Sequence, residues 1–136
     1  MAKLFPFYMV TPDGKSYKGE CDLLTVNSTE GILGIMANHA PLEAILDIGE
    51  AVAHTGNNVE VFALSGGILH ITKDGVTVLA DAFETKAEID IARAESSKNR
   101  AESRLKSKSE NVDVKRAEIA LRKAINRIKI ALVNRK

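Results

Sequence analysis

The chain has 136 residues, 45% of them hydrophobic, and a formal net charge of +1, which suits one domain or a smaller domain with an appendage. Tryptophan is absent and aromatics make up only 4%, which argues against nucleic-acid recognition by base stacking. A single cysteine, Cys21, excludes an internal disulfide, so a reducing compartment and a strand-packing role are expected.

The longest early apolar run, LFPFYMV, is too short to span a bilayer and contains Pro6. No transmembrane helix or secretory signal is expected, and the chain is placed in the cytosol, free or held at a membrane by a partner. From Leu4 to Asp81 short runs read as strands: FPFYMV, CDLLTV, LEAIL, EAVAHT, VEVFAL, ILHIT and VTVLAD. Turn signals separate them at Pro12-Asp13-Gly14, Asp47-Ile48-Gly49, Gly56-Asn57-Asn58 and Lys73-Asp74-Gly75. Many short strands with no helix among them predict a β-sandwich or flattened barrel.

Gly14-Lys15-Ser16 is the end of a phosphate-loop pattern, but Met9 stands where the upstream glycine is required. His39, His54 and His70 lack metal-ligand spacing, and no nucleophile motif is visible, so neither a metal site nor an enzyme in its own right is expected. The stretch NSTEGILGIMANHAPL, 27–42, either protrudes as a protein-binding surface or tucks its aliphatic side chains into the sandwich. Ser65-Gly66-Gly67 between strands reads as a bulge or close backbone approach, or as an interface.

After Thr85 helix formers take over. Asp90 is the expected cap of a helix over IARAESSKNRAESRL, and Ser109 or Asn111 the cap of a second that runs towards the C-terminus. On the second, Val114, Ala117, Leu121, Ala124, Ile125, Ile128 and Leu132 share a stripe; the first offers Ala94, Ser97, Ala101 and Leu105. Burying a large aliphatic contributes roughly 1.5 to 3 kcal/mol, against about 1 to 2 kcal/mol of backbone entropy per ordered residue. The hairpin therefore docks marginally, or else packs permanently. Up to Lys86 five Lys/Arg stand against eleven Asp/Glu, a balance of −6; from Ala87 fourteen stand against seven, a balance of +7. Opposite halves suggest a basic arm facing an acidic surface, or a solvated charged helix.

In order and over nearly the whole chain, VTPDG, YKGE, EGILGIMANHAPL, ALSGGILHI, VTVLADAFE, IDIARAE and KRAEIALRKAINRIKIA resemble the bacterial epsilon subunits of F-type ATP synthases. The resemblance implies a ten-stranded β-sandwich over 1–86 and a two-helix hairpin over 87–136. It implies a rotor subunit of the central stalk without bond chemistry of its own, coupling ion flow to ATP synthesis and restraining ATP hydrolysis. Its partners would be the gamma subunit and the membrane ring of c subunits, with alpha and beta met by an extended hairpin; nucleic acid is not among them. It would sit peripherally on the cytoplasmic side of a bacterial membrane, attached through the complex. The competing readings are a generic adaptor or a nucleic-acid-binding module using the basic tail.

By matching position, Glu30, Gly31, Ile32, His39, Ala40 and Pro41 would face the c-ring, and some relatives carry an acidic residue where Ile32 stands. Ser65, Gly66 and Gly67 would lie towards gamma, and Arg116, Arg122, Lys123 and Arg127 would form the inhibitory basic face. Ile89-Asp90-Ile91-Ala92-Arg93-Ala94 resembles the motif of relatives that bind ATP with the hairpin folded down. Glu84, Asp90, Arg93, Lys123 and Arg127 would then hold ATP, with or without magnesium, as a regulatory ligand, no cofactor being required. Lys123 stands where ATP-binding relatives have Arg, keeping the charge and losing the bidentate fork. The alternative for Asp90 is a plain helix cap paired with Arg93.

Overall fold

In the computed structural model, which describes residues 2–107 and 113–133, apolar alternation sets the strands of the first half. Strand β1 (Phe5–Val10) turns Phe5, Phe7 and Met9 inward and pairs antiparallel with β2 (Ser16–Cys21), which ends on the buried Cys21. Burial pushes the Cys21 thiol up to about 11, in keeping with a packing role. A hairpin of β3 (Leu23–Ser28) and β4 (Gly31–Ile35) is followed by a longer one of β5 (Leu42–Thr55) and β6 (Asn58–Thr72). Strands β7 (Gly75–Ala80) and β8 (Phe83–Thr85) both pair antiparallel with β6, and β7 also runs parallel to β1. The sheet order is β2-β1-β7-β6-β5-β3-β4, with β8 beside β6.

This sheet folds over onto itself. The Tyr17 ring on β2 stands 4.8 Å from Phe62 on β6, its hydroxyl donates to Glu60 at 2.7 Å, and Thr55 Oγ1 donates to the Glu20 carbonyl at 3.2 Å. Burial first and the Glu60 carboxylate second push the Tyr17 hydroxyl up to about 12, so it remains a donor. Phe7, Met9, Leu24, Ile35, Phe62 and Leu69 fill one core between the two layers of a β-sandwich.

β5 and β6 cross from one layer to the other at a shared corner. The inward residues change parity there: Leu46 gives way to Ala51 and Ala53 on β5, and Phe62 and Leu64 give way to Leu69 and Ile71 on β6. The β3–β5 register shifts between Val26 and Ser28, and β6 turns through Gly66 (φ 102°) and Gly67 (φ 147°). Asp47-Ile48-Gly49, expected as a turn, is therefore a bend inside β5, and LEAIL and EAVAHT are one strand. VEVFAL and ILHIT likewise join through Ser65-Gly66-Gly67. Dividing β5 and β6 at the corner turns eight strands into the ten that the resemblance implied.

Three strands were not expected. β2 is an edge strand that exposes Ser16, Lys18 and Glu20, β4 is diluted by glycine, and β8 has three residues. The hairpin is as expected in outline. After a 3₁₀ turn at Lys86–Glu88, α1 (Ile91–Lys106) starts on Asp90, which accepts from Arg93 N at 3.1 Å. α2 (Val114–Leu132) starts on Asp113, which accepts from Arg116 N at 3.1 Å. Ser109 and Asn111, the expected caps, lie outside the described residues; Asp113 takes that role. Among the described residues no helix is long and apolar enough to cross a membrane.

α2 lies between α1 and strands β5 and β6. Ala94 and Ala101 on α1, and Ala117 and Ala124 on α2, are all buried and each pair is spaced by seven residues, so the helices meet along a seam of small side chains. The stripe expected from the sequence is split. Ala117 and Ala124 are buried, Leu121 and Ile128 are half-buried, and Val114, Ile125 and Leu132 are exposed, whereas Ile130 from outside the stripe is buried against the sandwich.

Candidate functional site

The seam between α2 and the sandwich joins the basic half of the chain to the acidic half. Arg122 Nη2 donates to Asp47 Oδ1 at 2.9 Å, and Asn126 Nδ2 donates to the Gly49 carbonyl at 2.7 Å, both at the β5 bend. Five residues beyond Arg122, Arg127 meets Glu84 on β8: Nε lies 2.7 Å from Oε1, off the N–H direction, and Nη2 donates to Oε2 at 3.2 Å. Ile130 then packs with Ala63 and Ile89, flanked by Val61 and Ala131, and Lys86 Nζ donates to the Val133 carbonyl at the helix end. Every third or fourth residue of α2 thus meets the same surface, as helix geometry requires.

The two ion pairs differ in shielding. Side-chain exposures of 22% and 30% for Arg127 and Glu84, against 53% and 42% for Arg122 and Asp47, make the former the less screened pair. The hinge has its own fastening. Thr85 and Glu88 form a capping box, while Lys15 Nζ donates to the Phe83 carbonyl at 2.8 Å and to Glu88 Oε2 at 3.0 Å. The lysine that followed Gly14 in the phosphate-loop pattern thus has a structural task.

The Ile48 N–H first, and the Arg122 guanidinium second, hold the Asp47 carboxyl below the usual carboxylate range. Only the Arg122 part bears on docking; that small contribution is complete above the ordinary Asp range and is lost as pH falls through the lowered value. Amide protection along α2 is expected to fall on acidification through that window, and to fall less steeply in Asp47→Asn. Equal acid sensitivity in the two proteins by hydrogen exchange would remove Asp47 from the linkage.

Of the residues assigned to ATP, the structure brings Glu84 and Arg127 together. Asp90 and Arg93 meet through the cap at the start of α1, Arg93 is exposed, and Lys123 is half-buried one turn before Arg127. Of the basic face, Arg122 and Arg127 point to the sandwich and Arg116 is exposed. Glu30, Gly31, Ile32, His39, Ala40 and Pro41 are all exposed, with Ile32 at 70% and its neighbour Met36 at 57%; the same segment also forms β4 and buries Ile35. The loop thus exposes part of its apolar set and tucks Ile35 into the core. Gly66 is buried and Ser65 and Gly67 are half-buried, and the Ser65 N–H and Gly66 carbonyl bond to Ala82 and Asp81.

One exposed feature escaped the sequence reading. Val10 on β1 pairs in register with Leu79 on β7, Leu79 with Ile68 on β6, and Ile68 with Ile45 on β5. These four aliphatics, 37% to 64% exposed, form a row across four strands. The signal was present in Met9-Val10, Ile45-Leu46, Ile68-Leu69 and Val78-Leu79: where two apolar residues are consecutive in a strand, one must face outward.

Residues 4–86 match the family model of the ATP synthase delta/epsilon chain β-sandwich domain, and residues 87–131 that of its long α-helix domain. The chain is 48% identical to the ATP synthase epsilon chain of Halalkalibacterium halodurans over 124 residues, covering 90% of this chain and 93% of that one. It is 43% identical to the epsilon chain of Desulforamulus reducens over 131 residues, covering 96% and 99%. Its fold is similar to that of a chain in the Euglena gracilis mitochondrial ATP synthase, with a TM-score of 0.79 at 22% identity, covering 95% of this chain and 81% of that chain. A sandwich that carries a basic two-helix hairpin, matched on both parts and over nearly the full length of these relatives, belongs to the ATP synthase delta/epsilon chain family.

Proposed function

We propose that the protein is a non-catalytic rotor subunit of an F-type ATP synthase, in which residues 1–86 join gamma to the c-ring and residues 87–136 regulate hydrolysis. It serves ATP synthesis driven by ion flow, and holds to the cytoplasmic side of a bacterial membrane through the complex. The aliphatic row of Val10, Leu79, Ile68 and Ile45, beside Ser65–Gly67, is its gamma-facing surface. The end bearing Glu30–Ile32 and His39–Pro41 faces the ring.

The observation that carries the regulatory reading is the division of α2 into two unlike faces. Its docked face is polar apart from Ile130 and Ala131, while Val114, Ile125 and Leu132 remain exposed together with Arg116. Spacings of eleven and seven residues put the three aliphatics on one side of the helix, ready for another partner. Extended along gamma, this side packs on the stalk and the cations of the basic face meet acidic segments of alpha and beta, which blocks hydrolysis. ATP bound by Glu84, Asp90, Arg93, Lys123 and Arg127 draws the hairpin back by mass action, in proportion to its preference for the docked state.

Neutralising Arg116, Lys123 and Arg127 together to Gln is expected to raise ATP hydrolysis by the assembled enzyme several-fold at equal subunit content. Unchanged hydrolysis would defeat the inhibitory reading. Calorimetric titration of the free protein with ATP, beside Arg93→Ala and Arg127→Ala, tests the sensor separately: saturable binding weakened by both is expected, and no wild-type binding would leave the motif structural.

A further inference from the structure

The joint between sandwich and hairpin is fastened by the turn that joins β1 to β2. That turn is closed by its own bonds: the Thr11 N–H donates to the Lys15 carbonyl at 2.9 Å, the Gly14 N–H to the Thr11 carbonyl at 3.0 Å, and the Thr11 hydroxyl to the Asp13 carboxylate. Lys15 leaves it half-buried and reaches groups 68 and 73 residues onward. Its ammonium bonds the Phe83 carbonyl and Glu88 Oε2, and stands 4.7 Å from the centroid of the buried Phe83 ring. An ion pair with exposures of 37% and 45% contributes little alone; the carbonyl and the ring fix where the ammonium sits.

Everything up to Glu88 is held by contacts that do not involve the hairpin. β8 pairs with β6 from Phe83 to Thr85, Thr85 and Glu88 cap each other, and Lys15 bonds both ends of the segment. The Thr85 N–H first, and the Lys15 ammonium second, hold the Glu88 carboxyl below the usual carboxylate range, so it stays ionised at neutral pH. From Ile89 the dependence reverses: Ile89 packs with Ile130 of α2, and α1 lies against α2. Ile89 (ψ 122°) and Asp90 (ψ 102°) are extended between the 3₁₀ turn and α1. Rotation about Ile89 ψ and Asp90 φ redirects the hairpin without breaking a bond of either helical segment, as a hinge requires.

We propose that Lys15 is a positioning residue for regulation: it keeps Phe83–Glu88 on the sandwich when the hairpin leaves, so that the hairpin turns about Ile89 and Asp90 as one arm. This role rests on the inhibitory reading above. Departure of α2 takes Arg127 from Glu84 and the Val133 carbonyl from Lys86, so the segment then depends on what the sandwich supplies. Were β8 to peel away, its three residues and the three of the 3₁₀ turn would become slack in the tether, and a longer tether lowers the effective concentration of the arm at its target.

The test starts from the full chain carrying Ile130→Asp, which removes the apolar anchor of α2. Hydrogen exchange is expected to show the Thr85 and Glu88 amides still protected there, and exchanging about tenfold faster once Lys15→Met is added, with β5 unchanged. Lys15→Met keeps the stem over Phe83, and Lys15→Arg, which keeps the cation, is expected to restore protection. Glu88→Gln retains the capping box and removes only the ion pair, so it reads the same contact should Lys15→Met fail to fold; a smaller loss of protection is expected. In the assembled synthase Lys15→Met alone is expected to raise ATP hydrolysis several-fold, whereas a change that merely loosened docking would lower it. Unchanged protection at Thr85 and Glu88, or a fall in hydrolysis, would overturn the role of Lys15. A rise with the triple replacement of Arg116, Lys123 and Arg127 but none with Lys15→Met would remove Lys15 and leave the inhibitory reading standing; no rise with either would remove both.

Discussion

Gly67→Ala is expected to destabilise the sandwich by about 2 to 6 kcal/mol, the sum of backbone strain and overpacking of about 1 to 3 kcal/mol each. A methyl group there would stand 2.3 Å from the Leu79 carbonyl oxygen and 2.9 Å from Ala80 Cα, and the φ of 147° suits only glycine. The obstruction is backbone, so β7 must move, and β7 carries Val76, Val78 and Ala80 of the core. The same corner shapes the β5 bend that offers Asp47 and Gly49 to α2, so loss of hairpin docking should accompany the loss of stability. Gly56→Ala provides the comparison. It also has positive φ, 59°, but nothing lies within 4 Å of the added methyl, so only the left-handed penalty of about 1 kcal/mol applies. Urea unfolding of the two variants decides: equal midpoints would mean that the Leu79 approach carries no energetic weight.

That corner also marks where the sequence was legible and where it was not. Strands that alternate, such as Phe5–Val10, were read to the residue, because a buried face imposes a period of two. The bend at Asp47-Ile48-Gly49 was read as a turn because its composition is that of a turn; whether such residues end a strand or carry it between layers depends on the partner strand. β2 is not legible in the sequence, because an edge strand has one face to bury and little hydrophobic pattern to show. In the second half the charge split foretold a basic helix on an acidic surface, and Asp90 was legible as a cap. The docked face of α2 was not. Arg122, Asn126 and Ile130 form a short polar and apolar set that hydrophobic periodicity ranks below the longer aliphatic stripe, and the structure splits that stripe, burying Ala117 and Ala124 and leaving Val114, Ile125 and Leu132 outside. Of the residues assigned to ATP, only the Glu84–Arg127 pair joins side chains distant in sequence, a contact that no local pattern encodes.

Ile130→Asp is expected to release the hairpin while the sandwich stays folded. Ile130 is the largest apolar side chain that α2 buries against the sandwich, and it is 3% exposed. Its burial contributes about 1.5 to 3 kcal/mol, whereas Arg122–Asp47 is exposed enough to contribute little. A carboxylate placed among Ala63, Val61 and Ile89 would enter an apolar cluster, so the docked state loses the apolar contact and also bears the cost of desolvating a charge. Hydrogen exchange should then show α1 and α2 losing protection while β6 and β7 keep theirs. Ile125→Asp, on the 47% exposed stripe, should leave docking unchanged. In the assembled enzyme the two changes are expected to move hydrolysis in opposite directions: Ile130→Asp lowers it by freeing the hairpin to extend, and Ile125→Asp raises it by spoiling the face that would lie along the stalk. Movement in the same direction would mean that the two faces of α2 do not serve two states, since a helix with one working face has no means of separating release from inhibition.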